Sequence, residues 1–244
     1  MQSYQNFHTL CEGWQALRQR VATAANAVGR DPGAVSILAV SKTFPAESVR
    51  AAHALGQRAY GENYVQEAVA KMAATADLDA IEWHLIGPLQ SNKTREVAER
   101  FAWVQTVDRE KIARRLSDGR PPSLPPLNVC VQVNISGEAT KSGVSAAEAL
   151  PLALAIARLP RLTLRGFMGI AEPTDDVDLQ RAQFRVLRQC FESARAAGLP
   201  VDTLSMGMSD DLEAAIAEGA TMVRVGSALF GARVKANPGG TSAA

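Results

Sequence analysis

Eight short segments with the length and turn-bounded pattern of a β-strand recur along the chain. The first of them, VSILAVSK over residues 35–42, is almost wholly apolar up to its final lysine, which is typical of a strand buried on both faces of a parallel sheet. The predicted strands cover residues 35–42, 58–63, 81–86, 103–107, 127–135, 162–170, 202–205 and 221–225. Predicted strands therefore recur over most of the length of the chain.

Segments with helical spacing of apolar residues separate these strands. An extra helix, residues 7–28, precedes the first strand and carries Leu10, Trp14, Leu17 and Val21 on one face. The other predicted helices cover residues 46–55, 64–74, 93–101, 109–116, 146–159, 177–197 and 210–218. Alternation of strands and helices predicts a parallel sheet, and eight such units in 244 residues predict an α/β fold, a closed (β/α)8 TIM barrel.

A doubly wound open sheet is the alternative for the same alternating pattern. Such sheets usually carry a glycine-rich phosphate loop near the first strand, and neither GxGxxG nor GxxxxGK[ST] occurs in the sequence. The proline-rich residues 118–126 could link two domains, but a strand follows them directly, so we interpret them as a loop. We therefore predict one barrel domain over residues 1–234 and a disordered tail over residues 235–244.

Composition and charge narrow the range of partners. The chain has 26 basic and 25 acidic residues and a net charge of +1, which does not favour binding to nucleic acid or to anionic membranes. Cys11, Cys130 and Cys190 are far apart without a CxxC pair, which argues against a disulfide framework and for a reducing compartment. No signal peptide and no apolar run near the roughly 20 residues of a membrane span is present. These features predict a cytoplasmic protein without membrane or nucleic-acid partners.

Lys42 is the first candidate functional residue, and it lies where the first predicted strand ends. In (β/α)8 barrels the functional site lies at the carboxyl ends of the strands. An ammonium group is costly to bury unless it is deprotonated, paired or covalently used. A Schiff base with a carbonyl cofactor would satisfy this requirement. The simpler alternative, from this strand alone, is a lysine that extends into water.

The loops after the last two predicted strands have the composition of phosphate-binding loops. The run from Ser205 to Ser209 reads SMGMS, and Gly226 and Ser227 form a similar arrangement one unit later. Glycine lets the backbone approach an anion, and N–H groups at a helix start favour negative charge. These loops are also the usual phosphate position in this fold. Helix capping by Ser209 and Ser227 is the alternative, and it is compatible with phosphate binding.

Two further polar residues lie inside predicted strands. Arg224 alternates with Gly226 and should point into the barrel. A buried arginine needs a partner, which could be the carboxylate of Glu62 or Glu82 or a ring nitrogen of a bound cofactor. His84 lies between apolar neighbours, so a packed and hydrogen-bonded core histidine is its simplest interpretation. With three histidines in the chain, we expect no metal site.

Five motifs connect these features to a known family. They are LAVSKTFPAE, YGENYVQEA, WHLIGPLQSNK, VNISGEATKSGV and LSMGMSDDLEAAIAEGATMVRVGSALFG. In this order, from residue 35 to residue 233, they resemble the YggS/PROSC family of pyridoxal phosphate homeostasis proteins. The resemblance implies a fold-type III barrel, like the barrel of alanine racemase, with pyridoxal 5′-phosphate (PLP) held as a Schiff base on Lys42.

The resemblance also implies roles for individual side chains. By motif, the phosphate would be held by Ser205, Gly226 and Ser227, together with the backbone of Met208 and Ser209. Arg224 would face the pyridine nitrogen. The ring would be flanked by Asn63, His84 and Met168. Burial at the strand end would lower the pKa of the Lys42 amine toward its neutral, nucleophilic form. We also consider Lys141 a second amine that receives or releases PLP, although a solvated loop lysine is the simpler account.

The implied function is intracellular PLP homeostasis, by storage, buffering or delivery to apo-enzymes, without substantial catalysis. A guanidinium opposite the ring nitrogen cannot accept its proton, so the ring would be a poor electron sink. Barrel-type racemases and decarboxylases carry a further β domain, whereas this chain ends at residue 244, soon after the eighth unit. An amino-acid racemase or decarboxylase is the alternative function, and a barrel for an ordinary phosphorylated metabolite is a third. We expect a monomer or a weak dimer.

Overall fold

The computed structural model describes residues 2–138 and 141–231 and shows a closed barrel of eight parallel strands in sequence order. The strands are β1 (Ser36–Val40), β2 (Ala59–Glu62), β3 (Glu82–Leu85), β4 (Trp103–Val107), β5 (Leu127–Val133), β6 (Leu162–Gly169), β7 (Thr203–Ser205) and β8 (Met222–Val225). β1 pairs with both β2 and β8, which closes the sheet. The predicted barrel is therefore confirmed, and the open doubly wound sheet is excluded.

Helices surround this barrel and alternate with its strands. They are α1 (Gln2–Ala27), α2 (Ala46–Ala54), α3 (Val65–Ala74), α4 (Thr94–Arg100), α5 (Glu110–Gly119), α6 (Ala146–Ile156), α7 (Val177–Ala196), α8 (Leu212–Ala217) and α9 (Ser227–Phe230). The extra helix predicted over residues 7–28 is α1, which packs against α8 and α9. The predicted tail, residues 235–244, lies outside the described part of the chain.

Helix capping, the alternative role considered for Ser209 and Ser227, is not what the structure shows. The residue at the N-cap of α8 is Asp211, so this helix begins two residues later than the predicted start at residue 210. Gly226 is the N-cap of α9, and Ser227 is already the first helical residue. Neither N-cap residue makes a side-chain capping hydrogen bond. Both serine hydroxyls therefore remain available for another role.

Strand alternation divides the polar residues between the two faces of the sheet. Toward the helices, the Tyr60 hydroxyl donates to the carbonyl of Val49 in α2, 3.1 Å away. Toward the barrel axis, Gln105, Ser205 and Arg224 form hydrogen bonds with one another. The apolar core thus lies mainly between sheet and helices, and a polar layer lies inside the barrel. Among the described residues, no helix combines the length and the apolar character needed to cross a membrane.

Candidate functional site

Lys42 lies just past the end of β1, at the carboxyl mouth, our name for the opening at the carboxyl ends of the strands. Its side chain is half-buried. The register of β1 with β2, continued past the strand ends, brings Lys42 level with Asn63. On the other side, β8 is so close that a Cβ on Gly226 would lie 3.2 Å from the carbonyl oxygen of Val40. The predicted amine and one predicted phosphate loop therefore occupy neighbouring strand ends.

The turn that follows Lys42 has a strained backbone. Thr43 has φ of 68°, a left-handed conformation that costs a β-branched residue about 1–3 kcal/mol. Its N–H donates to Glu67 Oε1 at 2.5 Å, and the N–H of Phe44 donates to the Ser41 carbonyl at 3.0 Å. These two bonds hold the turn, and with it the position from which the Lys42 side chain departs.

A buried ion pair supports the strand end from the helix side of the sheet. Glu62 is fully buried, and its Oε1 accepts hydrogen bonds from the Ser41 hydroxyl at 2.6 Å and from Lys71 Nζ at 2.7 Å. Lys71 Nζ also donates to the Ser41 carbonyl at 2.6 Å. Burial raises the pKa of Glu62, while Lys71 and Ser41 favour its ionised form. The residue before Lys42 is thus anchored through both its side chain and its carbonyl.

Arg224 lies inside the barrel and is 4% exposed. Nη1 donates to the Ser205 hydroxyl and Nη2 to the Gly169 carbonyl, each at 2.8 Å. Of the two alternatives left open for its partner, a carboxylate from Glu62 or Glu82 is excluded, because Glu62 faces the helices and Glu82 lies at the amino end of β3. Burial lowers the pKa of Arg224 to about 10. The guanidinium therefore remains a cation at neutral pH, held by two neutral acceptors.

The serine loops, residues 206–211 after β7 and 226–227 after β8, meet at the carboxyl mouth. The hydroxyl groups of Ser209 and Ser227 lie 3.2 Å apart and share a hydrogen bond. Gly207 permits this approach, since its φ is +91° and a Cβ there would lie 2.5 Å from the Cβ of Ala215. The backbone N–H of Arg224 also donates a hydrogen bond to the Gly207 carbonyl, 2.9 Å away. Two hydroxyls thus converge beside the strand that carries Arg224.

Other atoms predicted to hold phosphate are already bonded within the protein. Ser205 is fully buried, and its hydroxyl donates to Gln105 Oε1 at 2.6 Å while accepting from Arg224. The Met208 N–H donates to Asp211 Oδ1 at 2.5 Å. Neither donor is left to face an anion. Of the predicted phosphate group, Ser209 and Ser227 present hydroxyls at the mouth, and Gly226 presents its backbone.

A cavity of about 270 Å³ continues the mouth on the side away from the serine loops. Asn63, Asn134 and Lys141 are among the residues that line it. Lys141 Nζ lies 2.7 Å from Glu138 Oε1, so this amine is ion-paired rather than simply solvated. The structure therefore brings Asn63 and Lys141 to the same mouth as Lys42.

His84 and Met168 are both buried within the barrel. His84 is 1% exposed and stacks on Trp103 with ring centroids 4.9 Å apart, in agreement with a packed core histidine. It lines a second cavity, about 420 Å³, with Glu82 and Arg165. This cavity opens at the amino mouth, the opening at the amino ends of the strands. Met168 is fully buried in a cluster with Trp103 and Cys130 and is in register with Ser205 near the carboxyl end of β6, whereas His84 lies on the side of the amino mouth.

Three residues that shape the site were missed from the sequence. Gln105 bonds Ser205 inside the barrel, Lys71 pairs with Glu62, and Asp211 holds the Met208 amide. Gln105 carried a signal, because a polar residue in the middle of the strand WVQTV must be hydrogen-bonded when buried. Lys71 gave none, since a lysine on an amphipathic helix is normally exposed. Within the described residues, no group of three or more His, Cys, Asp or Glu side chains could hold a metal.

Comparison with known proteins gives a consistent result. The family described as alanine racemase, N-terminal domain, matches residues 14–234. The pyridoxal phosphate homeostasis protein of Pseudomonas aeruginosa is 58% identical over 225 residues, which cover 92% of this chain and 96% of the relative. The corresponding protein of Escherichia coli K12 is 52% identical over 219 residues, 89% of this chain and 94% of the relative. The relatives are therefore similar along almost their whole length.

Solved structures resemble the barrel as well. PipY of Synechococcus elongatus, solved with PLP bound, superposes with a TM-score of 0.79 at 36% identity over 91% of this chain and all of PipY. Alanine racemase of Clostridium difficile superposes with a TM-score of 0.68 at 13% identity, over 87% of this chain and 56% of the enzyme. The second similarity is one of fold alone.

Proposed function

The chain belongs to the alanine racemase N-terminal domain family and, within it, to the pyridoxal phosphate homeostasis proteins, and from this premise we propose that its carboxyl mouth holds PLP as a Schiff base on Lys42. One observation carries the proposal. Lys42, Arg224 and the paired hydroxyls of Ser209 and Ser227 lie on or beside the adjacent strands β1, β7 and β8. An amine, a buried cation and a hydroxyl pair thus occupy one mouth.

The donors at this mouth fit the functional groups of PLP. The Ser209 and Ser227 hydroxyls and the Gly226 backbone suit a phosphate, since all can donate hydrogen bonds to its oxygens. The Lys42 amine suits the aldehyde: nitrogen attacks the carbonyl carbon, a C=N bond forms, and the oxygen leaves as water. Ser205 then acts indirectly, because its hydroxyl accepts a hydrogen bond from Arg224 and does not contact the phosphate. Asn63, level with Lys42, contributes its amide to the wall of the pocket.

Arg224 suits a role in limiting catalysis. Its guanidinium stays protonated at neutral pH, because even the lowered pKa is about 10. It can donate a hydrogen bond to a ring nitrogen but cannot provide that nitrogen with a stable proton. Bound PLP supplies an electron sink in enzymes, and protonation of its ring nitrogen strengthens that sink. Arg224 therefore favours storage of the cofactor over reaction at the α-carbon of an amino acid.

We propose accordingly that the protein stores, buffers or delivers PLP in the cytoplasm without substantial catalysis. The names of the relatives, which match along 94–96% of their length, support homeostasis. The three cysteines are free, which suits a reducing compartment. The family match to residues 14–234 supports one barrel domain. Apo forms of PLP-dependent enzymes are the proposed recipients, and Lys141 at the mouth is a proposed second amine for the transfer.

Titration with PLP, followed by absorbance, tests the proposed function. We expect a yellow protein whose absorbance band is bleached by borohydride, and we expect Lys42→Ala to abolish the band. Lys111→Ala, which removes an exposed lysine of α5, is the matched control and should behave as the wild type. A colourless protein at saturating PLP would overturn the proposal.

Two further assays separate the finer parts of the function. Release of PLP to an apo-transaminase should proceed at a measurable rate, and Lys141→Ala should slow it while leaving the absorbance of the bound cofactor unchanged. Racemisation of L-alanine by the PLP-loaded protein should be absent. Efficient racemisation that depends on Lys42 would show that the protein is a racemase.

A further inference from the structure

A continuous line of hydrogen bonds crosses the interior of the barrel. Arg224 Nη1 donates to Ser205 Oγ at 2.8 Å, Ser205 Oγ donates to Gln105 Oε1 at 2.6 Å, and Gln105 Nε2 lies 2.9 Å from His84 Nδ1. We call these four residues the interior relay. Each is at least nine-tenths buried, so water does not compete for these bonds. The relay begins at the carboxyl-mouth cation and ends at a histidine that lines the other cavity.

The chemistry of the groups fixes the direction of every bond. A guanidinium only donates, so the Ser205 hydroxyl must accept from Arg224 and send its own hydrogen to Gln105. The carbonyl oxygen of Gln105 only accepts, which turns its NH2 group toward His84. That NH2 group also lies 3.2 Å from the sulfur of Met222, a weak acceptor that suits the second hydrogen. The amide therefore has one orientation that satisfies all its neighbours.

This orientation determines the tautomer of His84. Because Nδ1 accepts a hydrogen from Gln105, a neutral imidazole must carry its own hydrogen on Nε2. Nε2 lies 3.8 Å from Glu82 Oε2, beyond hydrogen-bond distance, and the negative charge of this carboxylate favours a hydrogen on Nε2. Stacking on Trp103, with ring planes 9° apart, fixes the orientation of the imidazole ring. The histidine thus holds the amide, and the amide holds the serine.

We propose that Gln105 is a positioning residue of the PLP pocket, whose amide, oriented by His84, turns the Ser205 hydroxyl so that it fixes Arg224 for the ring nitrogen of the cofactor. The inference rests on the proposed function, because Arg224 matters only if PLP occupies the mouth. Gln105 touches no cofactor and acts through Ser205. Its loss would leave the Ser205 hydroxyl without a fixed orientation, so the bond to the Gly169 carbonyl would remain the one well-oriented side-chain bond of Arg224 among the described residues.

A double-mutant cycle on PLP affinity tests this role. Gln105→Met keeps a long flexible side chain and removes both amide atoms, and we expect the dissociation constant for PLP to rise about tenfold. In a Ser205→Ala background the same change should have no further effect, since the link to Arg224 is already broken. Gln57→Met is the matched control. It removes a buried amide that bonds the Ile37 and Ala59 carbonyls outside the relay. This variant should bind PLP with an affinity within twofold of the wild type.

A spectroscopic measurement tests the orientation independently of the cofactor. Long-range ¹H–¹⁵N NMR of the PLP-free wild type at pH 7 should show the His84 hydrogen on Nε2. In Gln105→Glu, the carboxylate oxygen that replaces the NH2 group should move the hydrogen to Nδ1, while the other oxygen still accepts from Ser205. PLP affinity should therefore be retained in this variant.

Distinct results would overturn the inference. An Nδ1–H tautomer in the wild type would contradict the proposed direction of the relay without using any variant. Equal effects of Gln105→Met in the wild-type and Ser205→Ala backgrounds would show that Gln105 is merely part of the core. If the wild type bound no PLP at all, the proposed function would fail, whereas the tautomer measurement would still decide the orientation of the amide.

Discussion

Residue-scale contacts explain why Lys42 has a defined position although it lies beyond the end of a strand. Ser41 is bonded through its hydroxyl to Glu62 and through its carbonyl to Lys71. Glu62 and Lys71 form a buried ion pair with Nζ and Oε1 2.7 Å apart. Replacing one partner of such a pair leaves the other charge buried and uncompensated. The support behind Lys42 therefore depends on both charges together.

Replacing Lys71 by methionine should destabilise the protein by about 3 kcal/mol, because Glu62 would keep its charge without a partner or have to take up a proton. Urea unfolding of the cofactor-free protein measures this loss. The double variant Lys71→Met/Glu62→Gln should recover a large part of it, since the buried charge is gone. A Lys71→Met protein within 0.5 kcal/mol of the wild type would contradict this account of the ion pair.

His84 should make stability depend on pH. Burial lowers its pKa below the ordinary value, with Arg165 acting in the same direction and Glu82 in the opposite one. Below about pH 6.5, His84 is protonated in the unfolded chain but stays neutral in the folded protein. Protonation therefore favours the unfolded state, and the free energy of unfolding should fall as the pH drops below about 6.5. Urea unfolding at pH 7.0 and pH 5.5 tests the effect.

The control for this pH dependence is His8→Asn, which removes an exposed histidine of α1. It should lose as much stability between the two pH values as the wild type does, whereas His84→Gln should lose less. Equal losses in all three proteins would show that His84 does not cause the dependence. Carboxylates that titrate over the same range affect the three proteins alike.

At this scale the sequence indicated the reactive groups better than their partners. The places of Lys42, Ser209 and Ser227 at the carboxyl mouth were predictable, because strand ends and the loops that follow them can be read from the alternation of strands and helices. The partners of Glu62 and Arg224 were not, because they depend on which face of a distant strand each side chain occupies. Glu62 and Arg224 both lie near the carboxyl mouth, yet on opposite faces of the sheet.

At the scale of elements, the serine loop after β7 owes its shape to Gly207. The conformation is left-handed, with φ of +91°, and a Cβ would meet the Cβ of Ala215 at 2.5 Å. The loop then presents Ser209 to Ser227. The element boundaries were predictable to within a few residues, but the late start of α8 was not. Asp211 uses its carboxylate to hold the Met208 amide rather than to cap the helix.

Gly207→Ala should therefore cost more than backbone strain alone. Gly198 provides the matched control, because its φ is +83° and a Cβ there would meet nothing within 4 Å. We expect Gly198→Ala to cost about 1 kcal/mol from the left-handed conformation. Gly207→Ala should cost about 2–4 kcal/mol, since overpacking against Ala215 is added.

Only Gly207→Ala should also weaken PLP binding, because it displaces Ser209. Urea unfolding and PLP titration of both variants provide the two readouts. If the two variants lost the same stability and bound PLP equally well, the loop geometry at Gly207 would not matter for the site.

The whole molecule brings the site together through barrel closure. β1 and β8 are more than 180 residues apart in the chain, since Leu38 pairs with Arg224, and their pairing sets Gly226 beside Val40, two residues before Lys42. α1 adds a brace from outside, because Arg20 donates to the Ser209 carbonyl at 2.7 Å and pairs with Glu213 of α8. The closed barrel was predictable from eight strand–helix units. The brace was not, because α1 has no counterpart in the repeated unit.

The most direct test of the account is to locate the bond between protein and PLP. The PLP-loaded protein is reduced with borohydride, digested, and examined by mass spectrometry for a pyridoxyl-lysine. The account predicts the modification on the peptide that contains Lys42, with Lys141 and Lys71 largely unmodified at one equivalent of PLP. No modified peptide, or a modification distributed over several lysines with Lys42 unmodified, would contradict it.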